Sequence, residues 1–277
     1  MGTGGKERIL FPLAFPFFRS KVDFKYIQFE IEPPIARMVL NRPPLHILDL
    51  TTLEELHSAL DLARGNPQLK VLILTGSGNK AFSAGVDIKD HLPDKVEAMI
   101  QKVHGVVETL SQVEAVTLAV VNGMALGGGC ELVACCDLAI AASEAIFGQP
   151  EIKLGIFAPV ASAILPHRIG YKKASELLLT GDPISAYEAR EFGLVNQVVP
   201  FEQLEKATTD LINRLIDKSA VGLKLAKRAL ICGAKSPWRE TLPALETLYL
   251  NTLMKTHDAE EGLKAFLEKR RPIWKNQ

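Results

Sequence analysis

The chain has no net charge and no long uninterrupted apolar run. Its 277 residues include 32 Lys+Arg and 32 Asp+Glu, so the overall charge does not favour nucleic acid as a partner. The longest apolar candidate, residues 116–142, is interrupted by polar residues and by four glycines, whereas a membrane span needs roughly 20 apolar residues in succession. With 47% hydrophobic and 23% charged residues, the composition excludes a disordered chain. It predicts a soluble globular protein of one large domain, or of one large and one smaller domain.

Cysteine and histidine are too few and too scattered for a disulfide framework or a metal centre. The four cysteines are Cys130, Cys135, Cys136 and Cys232. Their spacing matches neither a small disulfide scaffold nor paired zinc ligands, and the six histidines form no H-E-x-x-H pattern. No G-x-S-x-G nucleophile motif is present. We therefore expect no metal, and reduced, mostly buried thiols in a cytoplasmic protein.

Residues 1–20 differ from the rest of the chain. Two early cations and a short apolar patch loosely resemble a secretory signal, but Pro12 and Pro16 interrupt the patch and no convincing cleavage site follows. We expect a flexible leader or an overextended start here rather than an export signal.

Alternation of strands and helices predicts an α/β core. Residues 26–32 and 35–40 are strand-like and are separated by Pro33 and Pro34, which predicts a hairpin. Further strands are predicted at 70–75, 117–122, 137–142 and 145–147, and helices at 49–64 and 94–110. Such alternation indicates a sheet covered on both faces.

After Pro200 the pattern changes to four helices and no strand. Capping residues predict where several helices of the chain begin. These are Thr51 or Thr52 for the helix at 49–64, Ser236 followed by Pro237, and Asp258 with Glu261 three positions later. The basic residues Lys218, Lys224, Lys227 and Arg228 are expected to form a solvated helix face.

Three consecutive glycines, Gly127 to Gly129, follow a buried strand and precede a helix-compatible apolar run. Without side chains, their N–H groups can approach an oxyanion at a helix N-terminus, although a tight packing turn fits equally well. Glu131 lies among apolar neighbours and is therefore either paired with a cation or used in chemistry. Glu151, considered alone, fits a solvated loop residue.

A second glycine pattern carries a rival interpretation. Gly76, Gly78 and Ala81 satisfy the dinucleotide fingerprint directly after a strand. That fingerprint requires a helix to begin at once, but the residues that follow have no helical apolar period. We therefore discount it, and note that Gly85 in the same segment offers a second set of backbone donors.

Several segments together resemble the crotonase family, also called the enoyl-CoA hydratase/isomerase superfamily. They are AFSAGVDIKD, VNGMALGGGCEL, CDLAIAA, FGQPEIKLG, LTGDPISAYEAREFGLVNQVV and AFLEKRRPIW, in order from about residue 25 to the end. The resemblance implies an α/β, crotonase-like spiral of ββα units as the core at 21–200. It also implies a C-terminal helical trimerisation region at 201–277.

The resemblance also implies roles for four residues. The backbone N–H groups of Val86 and Gly128 would form an oxyanion hole for the thioester oxygen. Glu131 would activate a water molecule, and Glu151 would exchange a proton with the substrate. Adjacent carboxylates repel each other, so the two are expected to titrate as a coupled unit.

Further residues are implied as contacts of the substrate or of its CoA group. They are Ala84, Asp87, Ile88, Lys89, Phe157, Pro159, Phe266 and Lys269, the last two being supplied by a neighbouring subunit. An acyl-CoA thioester is the implied substrate, so coenzyme A is part of the substrate and no separate cofactor is implied. The implied assembly is a homotrimer or a hexamer made of two trimers, without nucleic acid or membrane partners.

One segment departs from simple enoyl-CoA hydratases. Residues 156–165 read IFAPVASAIL where those enzymes have a glycine-rich run. This run and the segment 90–97 resemble the cyclohexa-1,5-diene-1-carbonyl-CoA hydratases of anaerobic benzoyl-CoA degradation. The expected function is therefore hydration of a cyclic dienoyl-CoA. The alternatives are a straight-chain enoyl-CoA hydratase of fatty-acid β-oxidation, an isomerase or ring hydrolase on the same fold, and an RNA-associated binding module.

Overall fold

The computed structural model describes residues 20–234 and 236–277. The predicted leader lies outside the described residues except at Ser20, where the first strand begins. The strands are β1 (Ser20–Asp23), β2 (Ile27–Glu32), β3 (Ile35–Leu40), β4 (Val71–Gly76), β5 (Ala81–Ser83), β6 (Val116–Val121), β7 (Met124–Leu126), β8 (Leu138–Ala142), β9 (Ile146–Gly148), β10 (Ile184–Ser185) and β11 (Gln197–Val199).

Helices connect and cover these strands. They are α1 (Leu50–Arg64), α2 (Val96–Gln112), α3 (Gly128–Cys135), α4 (Pro159–Ile169), α5 (Tyr171–Thr180), α6 (Ala186–Glu191), α7 (Leu204–Ile216), α8 (Ala220–Gly233), α9 (Trp238–Asn251) and α10 (His257–Leu267). Short 3₁₀ turns occur at Ile88–His91, Pro150–Leu154, Phe201–Gln203 and Leu253–Lys255.

The strands of the described chain form two sheets. The larger runs β1-β2-β3-β4-β6-β8-β11, and the smaller runs β10-β9-β7-β5. β2 and β3 pair antiparallel across the predicted proline turn, which confirms the hairpin. From β3 to β11 the large sheet is parallel. Every residue of β4 and β6 is buried, as expected for parallel strands covered on both faces.

A strand–strand–helix unit repeats three times. The pairs β4/β5, β6/β7 and β8/β9 each place the first strand in the large sheet and the second in the small sheet, and α2, α3 and α4 follow them. The repeat confirms the α/β class with ββα units. Because β5, β7 and β9 lie parallel and adjacent, their carboxyl ends meet at one edge of the small sheet.

The two faces of the large sheet bury separate apolar clusters. One cluster packs α1, α2 and α3 against one face and includes Phe29, Leu56 and Phe82. The other packs α7 against the opposite face through Leu204 and Ile212. The sheet that positions the site is thus supported from both sides.

Two buried lysines join the C-terminal helices to this core. Lys70, which immediately precedes β4, donates from Nζ to the carbonyl oxygens of Ile216 and Lys218 at 2.9 and 2.7 Å. Lys227 on α8 lies 2.7 Å from Asp137 and donates to the carbonyl of Ala115. The prediction of a solvated basic face is therefore wrong at Lys227. The long lysine side chain reaches a carboxylate beneath the helix, which α8 periodicity alone does not reveal.

Two of the predicted helix caps are also wrong. α1 is capped by Asp49, whose carboxylate accepts from the Thr52 N–H at 2.9 Å, so neither threonine is the cap. α10 is capped by Thr256, whose hydroxyl accepts from the Ala259 N–H. Asp258 instead lies buried and binds the Ser219 hydroxyl and the Asn276 N–H, which ties the end of the chain to the start of α8. α9 begins one residue later than predicted, after Pro237.

Replacing Lys227 with Met is expected to lower the free energy of unfolding by about 3 kcal/mol, because it leaves Asp137 without its cation in a partly buried site. Urea unfolding of the purified protein measures the change. Lys206→Met is the matched control, since Lys206 pairs with Asp210 on the exposed face of α7 and should cost at most about 0.5 kcal/mol. Equal unfolding midpoints for the two variants would contradict a stabilising role for the Lys227 pair.

Candidate active site

Three loops meet at the shared edge of β5, β7 and β9, and each brings a predicted site residue. The loop after β5 carries Val86, the turn after β7 begins α3 with Gly128 and leads to Glu131, and the loop after β9 carries Glu151. The parallel pairing of these short strands explains why residues up to 65 positions apart in sequence converge. The site is therefore a product of the ββα repeat.

The Val86 N–H faces the turn after β7. Leu48 forms a parallel β-bridge with Val86. The Leu48 N–H donates to the Gly85 carbonyl at 2.9 Å, and the Leu48 carbonyl accepts from the Asp87 N–H at 3.2 Å. The bridge uses the Gly85 carbonyl and the Asp87 N–H, which flank Val86. The N–H of Val86 itself therefore points away from Leu48. A Cβ built on Gly128 would lie 3.6 Å from the Val86 nitrogen, which places Gly128 in close contact with the Val86 backbone.

The Gly128 N–H has no partner inside its helix, because Gly128 is the first residue of α3. Among the described residues, neither the Val86 nor the Gly128 N–H donates a hydrogen bond. Two unused donors at the positive end of a helix favour a negatively charged oxygen between them.

Neighbouring atoms lie so close to the backbone around these donors that only glycine fits there. Gly127 has φ +50° and caps α3, and a Cβ on it would lie 2.5 Å from the Glu151 Oε1 atom. A Cβ on Gly129 would lie 2.4 Å from the Ser83 carbonyl oxygen. The tight-packing interpretation of the glycine run is therefore confirmed, and this packing holds the free N–H groups in place.

Glu131 is buried, with 6% of its surface exposed. Its Oε1 accepts from the Ala161 N–H at 2.8 Å. Ala161 lies in the first turn of α4, so the partner of this carboxylate is a helix N-terminus and not the lysine or arginine that the sequence left open. Burial raises the pKa of Glu131 to about 7, opposed by the Ala161 N–H and reinforced by the charge of Glu151.

The buried state of Glu131 predicts a specific pH dependence of stability. Its pKa is about 7 in the folded chain against 4.5 ordinarily, so the folded state binds this proton more tightly than the unfolded state. The contribution of this bound proton to the free energy of unfolding is fully present below about pH 4.5. It is lost as pH rises to about 7, a change of about 3 kcal/mol. Urea unfolding at pH 5 and pH 8 should show that Glu131→Gln removes this loss.

Glu246→Gln, which alters an exposed glutamate on α9, is the control for that comparison. It should leave the difference between the two pH values as in the wild type. A Glu131→Gln protein that loses as much stability as the wild type between pH 5 and pH 8 would show that the Glu131 carboxylate is not held in its neutral form.

Glu151 lies in the first turn of a 3₁₀ helix and is half-buried, so the solvated-loop alternative does not describe it. Its Oε2 atom is buried and accepts no hydrogen bond from the described residues. Burial raises the pKa of Glu151, while its own backbone N–H and the charge of His91 lower it. Two carboxyl groups with raised pKa values are suited to exchanging protons near neutral pH.

The thiol next to Glu131 is not a candidate nucleophile. Cys130 is fully buried, and burial raises its pKa to about 12, so it stays protonated at neutral pH. All four cysteines are free, with Cys130 and Cys136 buried and Cys135 and Cys232 half-buried.

The predicted substrate contacts near the loops lie around the mouth of the site. Ala84 and Asp87 are half-buried beside Val86, and the Asp87 carboxylate caps the 3₁₀ turn by accepting from the Lys89 N–H. Ile88 and Lys89 are exposed on that turn. On the other side, Phe157 is 69% exposed and Pro159 opens α4.

Phe266 and Lys269 do not join this group within the single chain. Phe266 lies in the last turn of α10 and Lys269 lies two residues beyond the helix. α10 packs against α8 and the 3₁₀ turn Leu253–Lys255. Phe266 is 83% exposed, and its carbonyl accepts from the Lys269 N–H. Their predicted contact with substrate depends on a second subunit.

The rival dinucleotide interpretation is wrong. The residues after Gly78 form the strand β5, beginning at Ala81, where the fingerprint requires a helix. In residues 20–234 and 236–277, no three His, Cys, Asp or Glu side chains are grouped to hold a metal ion. No helix in the same ranges is long and apolar enough to cross a membrane.

Comparison with known proteins assigns the family. A family model described as enoyl-CoA hydratase/isomerase matches residues 30–277. The chain belongs to the enoyl-CoA hydratase/isomerase family. The predicted superfamily is thus confirmed over nearly the whole chain.

Members of this family whose names state different substrates are about equally similar to the chain. A cyclohexa-1,5-dienecarbonyl-CoA hydratase from Thauera aromatica is 37% identical, covering 90% of this chain and 95% of that protein. A crotonyl-CoA hydratase from Syntrophomonas wolfei is also 37% identical, covering 90% and 97%. A crystal structure of an enoyl-CoA hydratase from Bacillus anthracis has a TM-score of 0.86 and 35% identity, covering 91% of this chain and 100% of that one.

These relatives of the enoyl-CoA hydratase/isomerase family confirm two predictions. The fold matches solved members of the family, and the protein is an enzyme of their hydro-lyase type. Identity does not separate a cyclic from a straight-chain acyl group, because the two named hydratases match this chain equally well.

Sequence reasoning missed three residues that shape the site in this family member. They are Ala161, whose N–H binds Glu131, Leu48, which orients Val86, and His91, whose charge acts on Glu151. Ala161 and Leu48 act through backbone groups, which every residue type except proline carries, so their identity in the sequence gives no signal. The position of His91 could have indicated its role, because it lies five positions after Val86 and within the segment 90–97.

Proposed function

We propose that this enzyme adds water across the conjugated double bond of a CoA thioester, with a cyclic dienoyl group as its preferred acyl group. The observation that carries the proposal is the convergence of Glu131 and Glu151 with the unused N–H groups of Val86 and Gly128. Hydration needs a base for water, an acid for the neighbouring carbon and donors for the thioester oxygen. The four residues supply each of these.

The N–H groups of Val86 and Gly128 hold the thioester oxygen. As water adds, negative charge moves to this oxygen and an enolate forms, so donors placed there stabilise the transition state more than the bound substrate. Loss of one such donor typically costs about 3 kcal/mol of activation free energy. The N-terminus of α3 adds the positive end of its dipole to the same oxygen.

The two glutamates divide the proton transfers. Glu131 takes a proton from water as the water oxygen bonds to the β-carbon, and Glu151 gives a proton to the α-carbon. The atoms of one water molecule are thereby added to the thioester. Because Glu131 must be ionised to act as base, its pKa of about 7 keeps a useful fraction in that form near neutrality.

The preference for a cyclic dienoyl group rests on residues 156–165. Phe157 and Pro159 stand in this run, where simple enoyl-CoA hydratases carry glycines, and Phe157 presents an exposed aromatic ring close to Glu151 in sequence. A flat ring can stack or pack edge-on against a planar acyl ring. The name of the Thauera aromatica relative supports the same class of substrate.

Binding of the CoA group is assigned to both subunits of an oligomer. Ala84, Asp87, Ile88 and Lys89 flank the mouth, while Phe266 and Lys269 are assigned to the mouth of a neighbouring subunit. The neighbouring side chains Phe266 and Leu267 are 83% and 79% exposed on α10, a large apolar surface for a monomer. We assign a homotrimer, alone or paired into a hexamer, in the cytoplasm, where its free thiols stay reduced.

A panel of CoA thioesters tests the substrate. The purified protein is incubated with crotonyl-CoA, a longer straight-chain enoyl-CoA, a monocyclic enoyl-CoA and the cyclic 1,5-dienoyl-CoA, and products are identified by mass. We expect the mass gain of one water to be fastest with the cyclic dienoyl-CoA, and Phe157→Gly to reduce that preference. Faster hydration of crotonyl-CoA would overturn the cyclic assignment and favour the straight-chain alternative.

A further inference from the structure

A buried serine hydroxyl lies three residues before the proposed donor Val86. Ser83 is the last residue of β5, and none of its surface is exposed. Its Oγ atom accepts from the Gly85 N–H at 3.1 Å and donates to the His46 carbonyl at 2.8 Å. The hydroxyl therefore ties Gly85 to a second loop by acting as acceptor and donor at once.

The hydroxyl completes the pairing of the loop that carries Val86. The segment 45–48 accepts, through two backbone carbonyls, from the N–H groups of Ala84 and Asp87. The N–H of Gly85, a residue with φ +94°, binds the serine hydroxyl instead. Among the described residues the Val86 N–H donates no hydrogen bond, so it remains for the substrate.

Gly85 also contacts the turn that carries the second donor. A Cβ built on Gly85 would lie 2.8 Å from the Leu126 carbonyl oxygen and 3.3 Å from the Gly128 nitrogen. A Cβ on Gly129 would lie 2.9 Å from the Cβ of Ser83. Because these backbones are in close contact, a movement of Gly85 changes the geometry of both proposed donors.

The residue that accepts the serine proton is held through both of its ring nitrogens. His46 is buried and has φ +50°. Its Nδ1 atom accepts from the Arg42 N–H at 3.1 Å, so its Nε2 atom carries the proton that is donated to the Ser77 carbonyl at 2.9 Å. Burial lowers the pKa of His46, which keeps the ring neutral and these bonds unchanged near neutral pH.

We propose that Ser83 is a positioning residue for the oxyanion hole, because its hydroxyl fixes Gly85 and thereby keeps both N–H donors directed at the thioester oxygen. The inference rests on the proposed function and adds to it a residue that acts only through the backbone of its neighbours. Without the hydroxyl, the buried Gly85 N–H and the His46 carbonyl each lose a partner. The loop can then turn to satisfy the Gly85 N–H, which moves the Val86 donor.

Replacing Ser83 with Ala tests the proposal in the purified enzyme. Misplacement of a reacting group by about 1 Å can cost about 10²-fold in rate. With the fastest substrate of the panel, we expect kcat to fall about 10- to 100-fold. KM should change little, because the oxyanion donors act mainly in the transition state.

Thr208→Val is the matched control. Thr208 is buried on α7, which packs against the other face of the large sheet, and its hydroxyl donates to the Leu204 carbonyl at 2.7 Å. Removing this hydroxyl should leave kcat as in the wild type. Circular dichroism and the urea midpoint establish that each variant is folded.

A second variant covers the case in which Ser83→Ala does not fold. Ser83→Cys then makes the same comparison, because a thiol fills the space but is a weak donor and a weak acceptor. A folded Ser83 variant with the kcat of the wild type would overturn the proposal. An equal loss of kcat in Thr208→Val would also overturn it.

Binding of acetoacetyl-CoA separates this inference from the proposed function. This thioester has no carbon–carbon double bond to hydrate, and its enolate absorbs in the near ultraviolet. The pH at which the bound enolate forms can therefore be measured without turnover. The wild type should lower this pH relative to the free thioester, and Ser83→Ala should raise it again by about one pH unit for a tenfold loss of stabilisation.

The two hypotheses predict different combinations of results. If Ser83→Ala raises the pH of enolate formation while no thioester of the panel is hydrated, the positioning role stands and the proposed function fails. If hydration occurs but Ser83→Ala equals the wild type in kcat and in enolate formation, the proposed function stands and the positioning role fails.

Discussion

The Glu131→Gln variant is expected to hydrate its CoA thioester substrate about 10²- to 10⁴-fold more slowly than the wild type, because the amide cannot take a proton from water. The loss should appear in kcat, since the proposed role of Glu131 begins only when water attacks. Steady-state kinetics of the purified variant, with the product identified by mass, measures the effect. Glu151→Gln is expected to lose activity for the complementary reason, since its amide cannot give the α-carbon a proton.

The Glu131→Gln protein should remain folded. The amide oxygen of glutamine can still accept from the Ala161 N–H, which donates to Oε1 in the wild type at 2.8 Å. Circular dichroism and the urea midpoint check this directly, and Glu246→Gln serves as the control for a charge change elsewhere. A folded Glu131→Gln enzyme that retains wild-type turnover would refute the assignment of Glu131 as the base.

Replacing Gly127 with Ala is expected to lower kcat by about 10²- to 10³-fold, the usual effect of losing one oxyanion donor. Gly127 has φ +50° and ψ −127°, a conformation that residues with a side chain rarely adopt. The new Cβ would also lie 2.5 Å from the Glu151 Oε1 atom. Relief of both conflicts must move the start of α3, and with it the Gly128 N–H, or displace the Glu151 carboxylate.

Gly78→Ala is the matched control for Gly127→Ala. Gly78 also has a positive φ, +72°, but a Cβ there would meet no atom within 4 Å. Both substitutions therefore strain the backbone, and only Gly127→Ala disturbs the site. If the two variants lose activity to the same small extent while remaining folded, the close approach of Gly127 to Glu151 has no part in catalysis.

Much of the fold was predictable because its elements carry strong local patterns. The hairpin around Pro33 and Pro34 and the buried strands β4 and β6 follow from apolar runs and from proline geometry. Of the short strands, β9 was predicted to within one residue. The two-residue strand β10 and the three-residue strands β5 and β7 did not stand out, because periodicity cannot be recognised over so few residues. These short strands nevertheless bring the loops of the site together.

The candidate site was predictable where chemistry depends on side chains. Glu131 stands out as a carboxylate in an apolar segment, and Gly127 as part of a glycine run. Its partner at Ala161 could not be predicted, because a backbone N–H thirty residues away has no residue-type signal. The buried Lys227 was misjudged for a related reason, since helical position alone does not show that a lysine bends inward to reach Asp137.

Hydration in isotopically labelled water tests the central claim most directly. The wild-type protein is incubated with an enoyl-CoA in water enriched in heavy oxygen, and the thioester product is weighed by mass spectrometry. The account predicts a product that is heavier by one labelled water and still joined to CoA, with this product lost in both Glu131→Gln and Glu151→Gln. A product of unchanged mass would identify an isomerase, and a labelled free carboxylate would identify a hydrolase. Either result would contradict the hydratase mechanism.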